Sequence, residues 1–86
     1  MLTRIEYVIL DAIQRLSEKN SFGATPKQLS EETKIKAEVI RAHLTVLKRK
    51  KLVKTPVRGH YKLTKAGVEL LNKTRSELAN GGVLVD

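Results

Sequence analysis

Cysteine is absent from the 86 residues. Neither a disulfide framework nor a cysteine-ligated zinc site can staple such a chain, so the fold has to hold by packing alone. Tryptophan is absent too, and Tyr7, Phe22 and Tyr61 are the whole aromatic complement. A stacking platform for unpaired bases needs several exposed rings, and this composition does not supply one. His43 and His60 stand apart, with no cluster of carboxylates to complete a metal site. No nucleophile–base pairing, phosphate-binding glycine loop or pair of acids stands out, so no enzyme, metal or cofactor is expected. No apolar run approaches the roughly 18 residues of a membrane span. The opening MLTRIEYVIL interrupts its apolar residues with Arg4 and Glu6, unlike a secretion leader. The expectation is a soluble, cytoplasmic protein.

Acid is missing from one region in particular. Residues 34–65 hold eleven Lys/Arg and the single acid Glu38, a net +10. The segments on either side, 1–33 and 66–86, each carry −1, so the overall +8 is concentrated in 32 contiguous residues. Charge kept for solubility would be spread more evenly. A localised positive field is the footprint expected for a polyanionic partner, and a lysine-rich solvated face is the plainer alternative.

What is present organises around a long helix expected over 37–51. Ile40, Leu44, Leu47 and Lys51 recur along one stripe of a 3.6-residue period, while Glu38, Arg41, Thr45, Lys48 and Arg49 fall opposite. Such a helix can seat one side in a core and present a basic rail on the other. Before it, residues 3–19 read as an amphipathic helix. Its stripe is Ile5, Val8, Ile9, Ala12, Ile13 and Leu16, and its capping box is Thr3 with Glu6. Tyr7 and Leu10 fall off that stripe and read as surface residues or as part of a dimer seam. A loop over 20–24 bends at Gly23. A short helix over 26–33 then starts from Thr25, Pro26 and Gln28, with Leu29 as its one large core residue. Lys34, Ile35 and Lys36 form a turn, with Ile35 inward.

After the long helix, 52–55 and 60–63 read as two short strands joined by Pro56, Val57, Arg58 and Gly59. Thr64 then caps a last helix over 65–79. Gly67, Leu71, Thr74 and Leu78 make its stripe, and Asn80, Gly81 and Gly82 end it. The length suits one domain with a modest core, placed at 1–80. The tail 81–86, with Val83, Leu84 and Val85, is either disordered or packed in a dimer.

This order of elements is mainly α with a small β-hairpin, an α+β arrangement, and leaves room for a short extra strand before the second helix. It resembles the winged helix-turn-helix domain. The segment TPKQLSEETKIKAEVIRAHLTVLKRKKLV is similar to the paired helices of that family. Shared features are a leucine in the second helix, an isoleucine in the turn, a His-Leu-x-x-Leu late in the third, and Leu-Val opening the first wing strand. HYKLTKAG resembles the aromatic-x-Leu-Thr-x-x-Gly ending that follows the wing in regulators of the MarR, PadR and ArsR kind. Two positions depart from the pattern. Lys34 replaces a turn residue that is often glycine, at a cost of about 1 kcal/mol if its backbone is left-handed. Lys36 replaces the Ser or Thr that commonly caps the recognition helix, again worth about 1 kcal/mol.

The resemblance implies sequence-specific binding of double-stranded DNA by a transcriptional regulator, with the 37–51 helix in the major groove. It places the first half of that helix nearest the bases, nominating Lys36, Ala37, Glu38, Arg41, Ala42 and Thr45. Arg41 can pair bidentately with guanine and Glu38 can accept from cytosine, or Glu38 can simply complement the helix N-terminus. Lys48, Arg49 and Lys50 fall to phosphates or solvent, and Arg58 at the wing tip to the backbone or minor groove. Regulators of this kind usually pair two half-sites about 34 Å apart, so a homodimer is expected. A winged helix serving as a protein-interaction or RNA-binding module is the alternative.

Overall fold

The computed structural model describes residues 2–84. It is mainly helical, with one small antiparallel sheet. The order is α1 (Arg4–Lys19), α2 (Pro26–Thr33), α3 (Ala37–Arg49), β1 (Val53–Lys54), β2 (Lys62–Leu63) and α4 (Lys65–Ala79). Val85 falls outside the described residues, so the expectation for the tail extends beyond them.

Local chemistry sets most of the helix starts. Thr3 Oγ1 accepts the Glu6 N–H at 3.2 Å and Glu6 Oε1 accepts the Thr3 N–H at 3.0 Å, closing the expected capping box of α1. Thr25 and Gln28 repeat the device at α2, at 3.1 and 3.0 Å. Thr64 caps α4 by accepting the Gly67 N–H at 3.0 Å. These bonds satisfy N–H groups that a helix end leaves without partners.

One core joins the elements. Ile9, Leu10, Ala12 and Ile13 of α1, Leu29 of α2, Ile40, Leu44 and Leu47 of α3, Val53 of β1 and Leu71 of α4 are all buried in it. Two positions on α1 reverse the expectation. Leu10 is completely buried, whereas Ile5 is 39% exposed. The reason is that α1 is a hub, in contact with α2, α3, α4 and β2, so its buried arc is wider than a single stripe. Tyr7 is half-buried against the core and is no free seam.

Polar contacts brace the same hub. Asp11 takes the Arg15 Nε at 3.0 Å and the Arg75 guanidinium of α4, while Arg15 also pairs with Glu32 of α2. The Asp11 carboxylate raises the Arg75 guanidinium above its ordinary pKa, outweighing the opposing effect of burial, with Tyr7 assisting.

The hairpin is shorter than expected. Val53 pairs with Leu63 and Lys54 with Lys62, while 52, 55, 60 and 61 lie outside the ladder. Leu52 is drawn out because its N–H donates to Leu47 O at 3.0 Å and its carbonyl accepts from Thr64 N at 3.1 Å. Tyr61 instead pairs with Ala24, exchanging N–H···O bonds of 2.7 and 2.9 Å. That single antiparallel bridge stands where a short extra strand before α2 had room.

Candidate functional site

Helix α3 is aimed by what holds its two ends. On the entry side, the Lys34 N–H donates to Ser30 O at 2.9 Å, and Lys34 is left-handed at φ 64°. Ser30 Oγ donates to Ile35 O at 2.6 Å, and Thr33 Oγ1 donates to Leu29 O at 2.7 Å and accepts the Ile35 N–H at 3.3 Å. Two hydroxyls of α2 therefore hold the three-residue turn. Lys36 makes no side-chain capping bond, as its chemistry requires.

The far end departs from expectation. The helix stops at Arg49, and Lys51 lies beyond it with φ 63°, exposed rather than on the buried stripe. Lys51 N–H bonds to Lys48 O and Leu52 N–H to Leu47 O, both at 3.0 Å. That pattern reverses the chain and needs a left-handed residue at Lys51. Thr64 Oγ1 donates to Lys51 O at 2.7 Å while accepting from Gly67, so one hydroxyl clamps the end of α3 to the start of α4.

Ile40, Leu44 and Leu47 are fully buried, which turns the opposite side of α3 to solvent. At about 100° per residue, Glu38, Arg41, Ala42, Thr45 and Arg49 fall within roughly 100° of arc. All five are exposed, with Lys48 exposed at their edge and Lys36 exposed just before the helix. Ala37 is half-buried at the margin of this face. Arg58 is exposed in the hairpin turn, where the His60 N–H closes on Val57 O at 2.9 Å. Arg41 and Lys48 thus share one face of one helix, whereas Arg58 belongs to a separate element.

The positive charge of residues 34–65 is nearly all without an ion pair. Ten of the eleven Lys/Arg in 34–65 are exposed, Lys62 being half-buried. Among the described residues, Lys50 alone of the eleven has an ion pair, through Nζ to Glu6 Oε2 at 3.1 Å. This pair ties the end of α3 to the first turn of α1, while the Lys50 side chain stays 54% exposed. The Glu6 side chain is only 8% exposed. Burial works to raise its pKa, but bonds from Thr3 and Lys50 outweigh it and hold the carboxyl below its ordinary value.

Sequence reasoning passed over two residues on α3. Val39 and Val46, seven apart, are each 38% exposed on the flank next to Ala42. Their signal was an i, i+7 spacing on the side away from the core stripe. Beyond this flank, Thr3, Arg4, Ile5 and His43 line an open, mainly apolar hollow of about 450 Å³. The His60 ring meets Phe22 edge-on, with centroids 6.3 Å apart, and its Nδ1 lies 3.4 Å from Arg58 O. Among the described residues no three His, Cys, Asp or Glu gather where a metal ion could bind, and no helix is long and apolar enough to cross a membrane.

No family model, no curated protein and no solved structure matches this chain. The residues and their geometry therefore carry the functional argument by themselves.

Proposed function

We propose that this chain is a winged helix-turn-helix protein that binds double-stranded DNA and regulates transcription, with α3 in the major groove and the 53–63 hairpin as its wing. The observation that carries the reading is the exposed, unpaired cation set on α3 and the hairpin. One chain of paired charges, Arg75–Asp11–Arg15–Glu32, shows the contrast: there two cations are held by two carboxylates. Cations left without internal partners are suited to phosphates, whose neutralisation releases counterions and supplies most of the affinity.

In this arrangement Arg41 and Glu38 meet base edges, Lys36, Lys48 and Arg49 meet the flanking phosphates, and Arg58 reaches the backbone or the minor groove. A B-form major groove roughly 12 Å wide admits a helix. An A-form major groove is too deep and narrow for one, which favours DNA over duplex RNA. Binding two half-sites calls for two copies, and Ile5 of α1, 39% exposed, and Val83 beyond α4, 72% exposed, offer apolar surface for a homodimer. Sedimentation that finds only monomer at micromolar concentration contradicts that part of the proposal.

A gel-shift competition at matched salt tests the main reading. Duplex DNA is expected to displace a labelled DNA duplex far better than duplex RNA of the same sequence. Equal or better competition by RNA overturns it.

A further inference from the structure

The outward face of α3 is not uniformly polar. Val39 and Val46 are each 38% exposed, and Ala42 between them is exposed as well. Thr45 adds to this group in an indirect way. Its Oγ1 donates to the Arg41 carbonyl at 3.0 Å, so its hydroxyl proton is used within the helix. What Thr45 has left to offer a partner is its methyl group and the acceptor lone pairs of Oγ1. Helix stability does not call for these residues either. At exposed helical positions valine and threonine form helix less well than lysine, glutamine or glutamate. Arg41, Lys48 and Arg49, exposed and without ion pairs, border this apolar strip.

We propose that Val39, Ala42, Val46 and the Thr45 methyl form a strip that reads the 5-methyl groups of thymine in the major groove. The inference rests on the duplex-DNA reading and sharpens it to a ligand class, duplexes carrying thymines in register with α3. Charge complementarity commits the strip to DNA, because the cations around it draw a phosphate-lined groove onto the same face. Within that groove the thymine methyl is the one apolar group a natural base presents. A strip of methyl groups has no other partner there.

The test begins with duplexes selected from a random pool by the full chain. Each thymine of a bound duplex is then replaced by deoxyuridine, which deletes the methyl and leaves every hydrogen-bonding group in place. Affinity should fall about fourfold for each contacted methyl, the value of one buried carbon. The substitutions V39Q and V46Q, at exposed positions and with a better helix former, should each bind duplex while losing about fourfold of the discrimination between thymine and uracil, at the base that valine contacts. Wild-type binding that is indifferent to deoxyuridine at every position overturns the strip while leaving the duplex reading intact. Discrimination that stays undiminished at every thymine in both variants also overturns it. A chain that binds no duplex overturns the reading beneath it.

Discussion

Helices α3 and α4 end on the same hydrogen-bonding motif with different residues at its left-handed position. In α4, Gly82 N–H reaches Glu77 O at 2.8 Å and Gly81 N–H reaches Leu78 O at 3.2 Å, with Gly81 at φ 88°. In α3 the corresponding position is Lys51 at φ 63°. Glycine takes that conformation freely, whereas a residue with a Cβ is strained there by about 1 kcal/mol. The starts differ in the same direction. Thr3, Thr25 and Thr64 cap α1, α2 and α4, but α3 begins at Lys36 with no side-chain cap. Lys34, just before it, is again left-handed and again not glycine. At three positions around α3 the chain carries a cation where the rest of the molecule uses the residue that best stabilises the backbone. The helix C-terminal dipole recovers part of that loss at Lys51, but at Lys36 the dipole opposes the charge. This is what the proposed phosphate-facing role of α3 would leave behind.

Substitutions can break or sharpen this contrast. The largest effect is expected where the two regions meet. A Cβ on Gly67 would lie 2.1 Å from the Leu52 carbonyl, a backbone atom that cannot step aside. Gly67→Ala should therefore lower unfolding free energy by about 3 kcal/mol in denaturant titration, as overpacking at its upper range does. Next comes the Glu6 anchor. Glu6→Gln keeps a capping acceptor but loses the charge partner of Lys50, and a loss of about 1–2 kcal/mol is expected. The wild type should show the matching pH dependence. The Glu6 pKa is depressed on folding, so its contribution is complete above the ordinary value of 4.5 and is lost as pH falls through the lower folded value. In E6Q that segment of the acid-unfolding curve should flatten.

Smaller effects test the caps themselves. Lys36→Thr should raise stability by about 1 kcal/mol, and Lys51→Gly by about 0.5 kcal/mol once the extra freedom of unfolded glycine is subtracted. Both variants should bind duplex DNA more weakly than the wild type. A gain in stability with no loss of binding would remove the functional side of the contrast. Smallest in stability is Arg41→Ala, expected within about 0.5 kcal/mol of the wild type because the side chain is exposed and unpaired. Its effect should appear instead as altered base preference in the selected duplexes.

The legible parts of the fold were those set by neighbours in sequence. Thr3 with Glu6 and Thr25 with Gln28 announce α1 and α2, and the spacing of Ile40, Leu44 and Leu47 announces the buried side of α3 and hence its outward face. Contacts between distant segments left no such mark. The Lys50–Glu6 pair, the Asp11–Arg75 pair and the Ala24–Tyr61 bridge join residues far apart in the chain. Leu10 and Ile5 exchanged roles for the same reason, since four elements around α1 decide its buried arc. The stop after Arg49 was hidden because lysine, not glycine, occupies its left-handed position. Of the candidate site, the outward positions on α3 were legible and the pairing of Lys50 with Glu6 was not.

The central claim is that the exposed cations of α3 and the hairpin exist to meet phosphates, and salt dependence tests it most directly. With about six of them in contact, the logarithm of duplex affinity should fall against the logarithm of salt concentration with a slope near −5, at about −0.9 per contact. Binding that persists with a slope near zero would contradict the account.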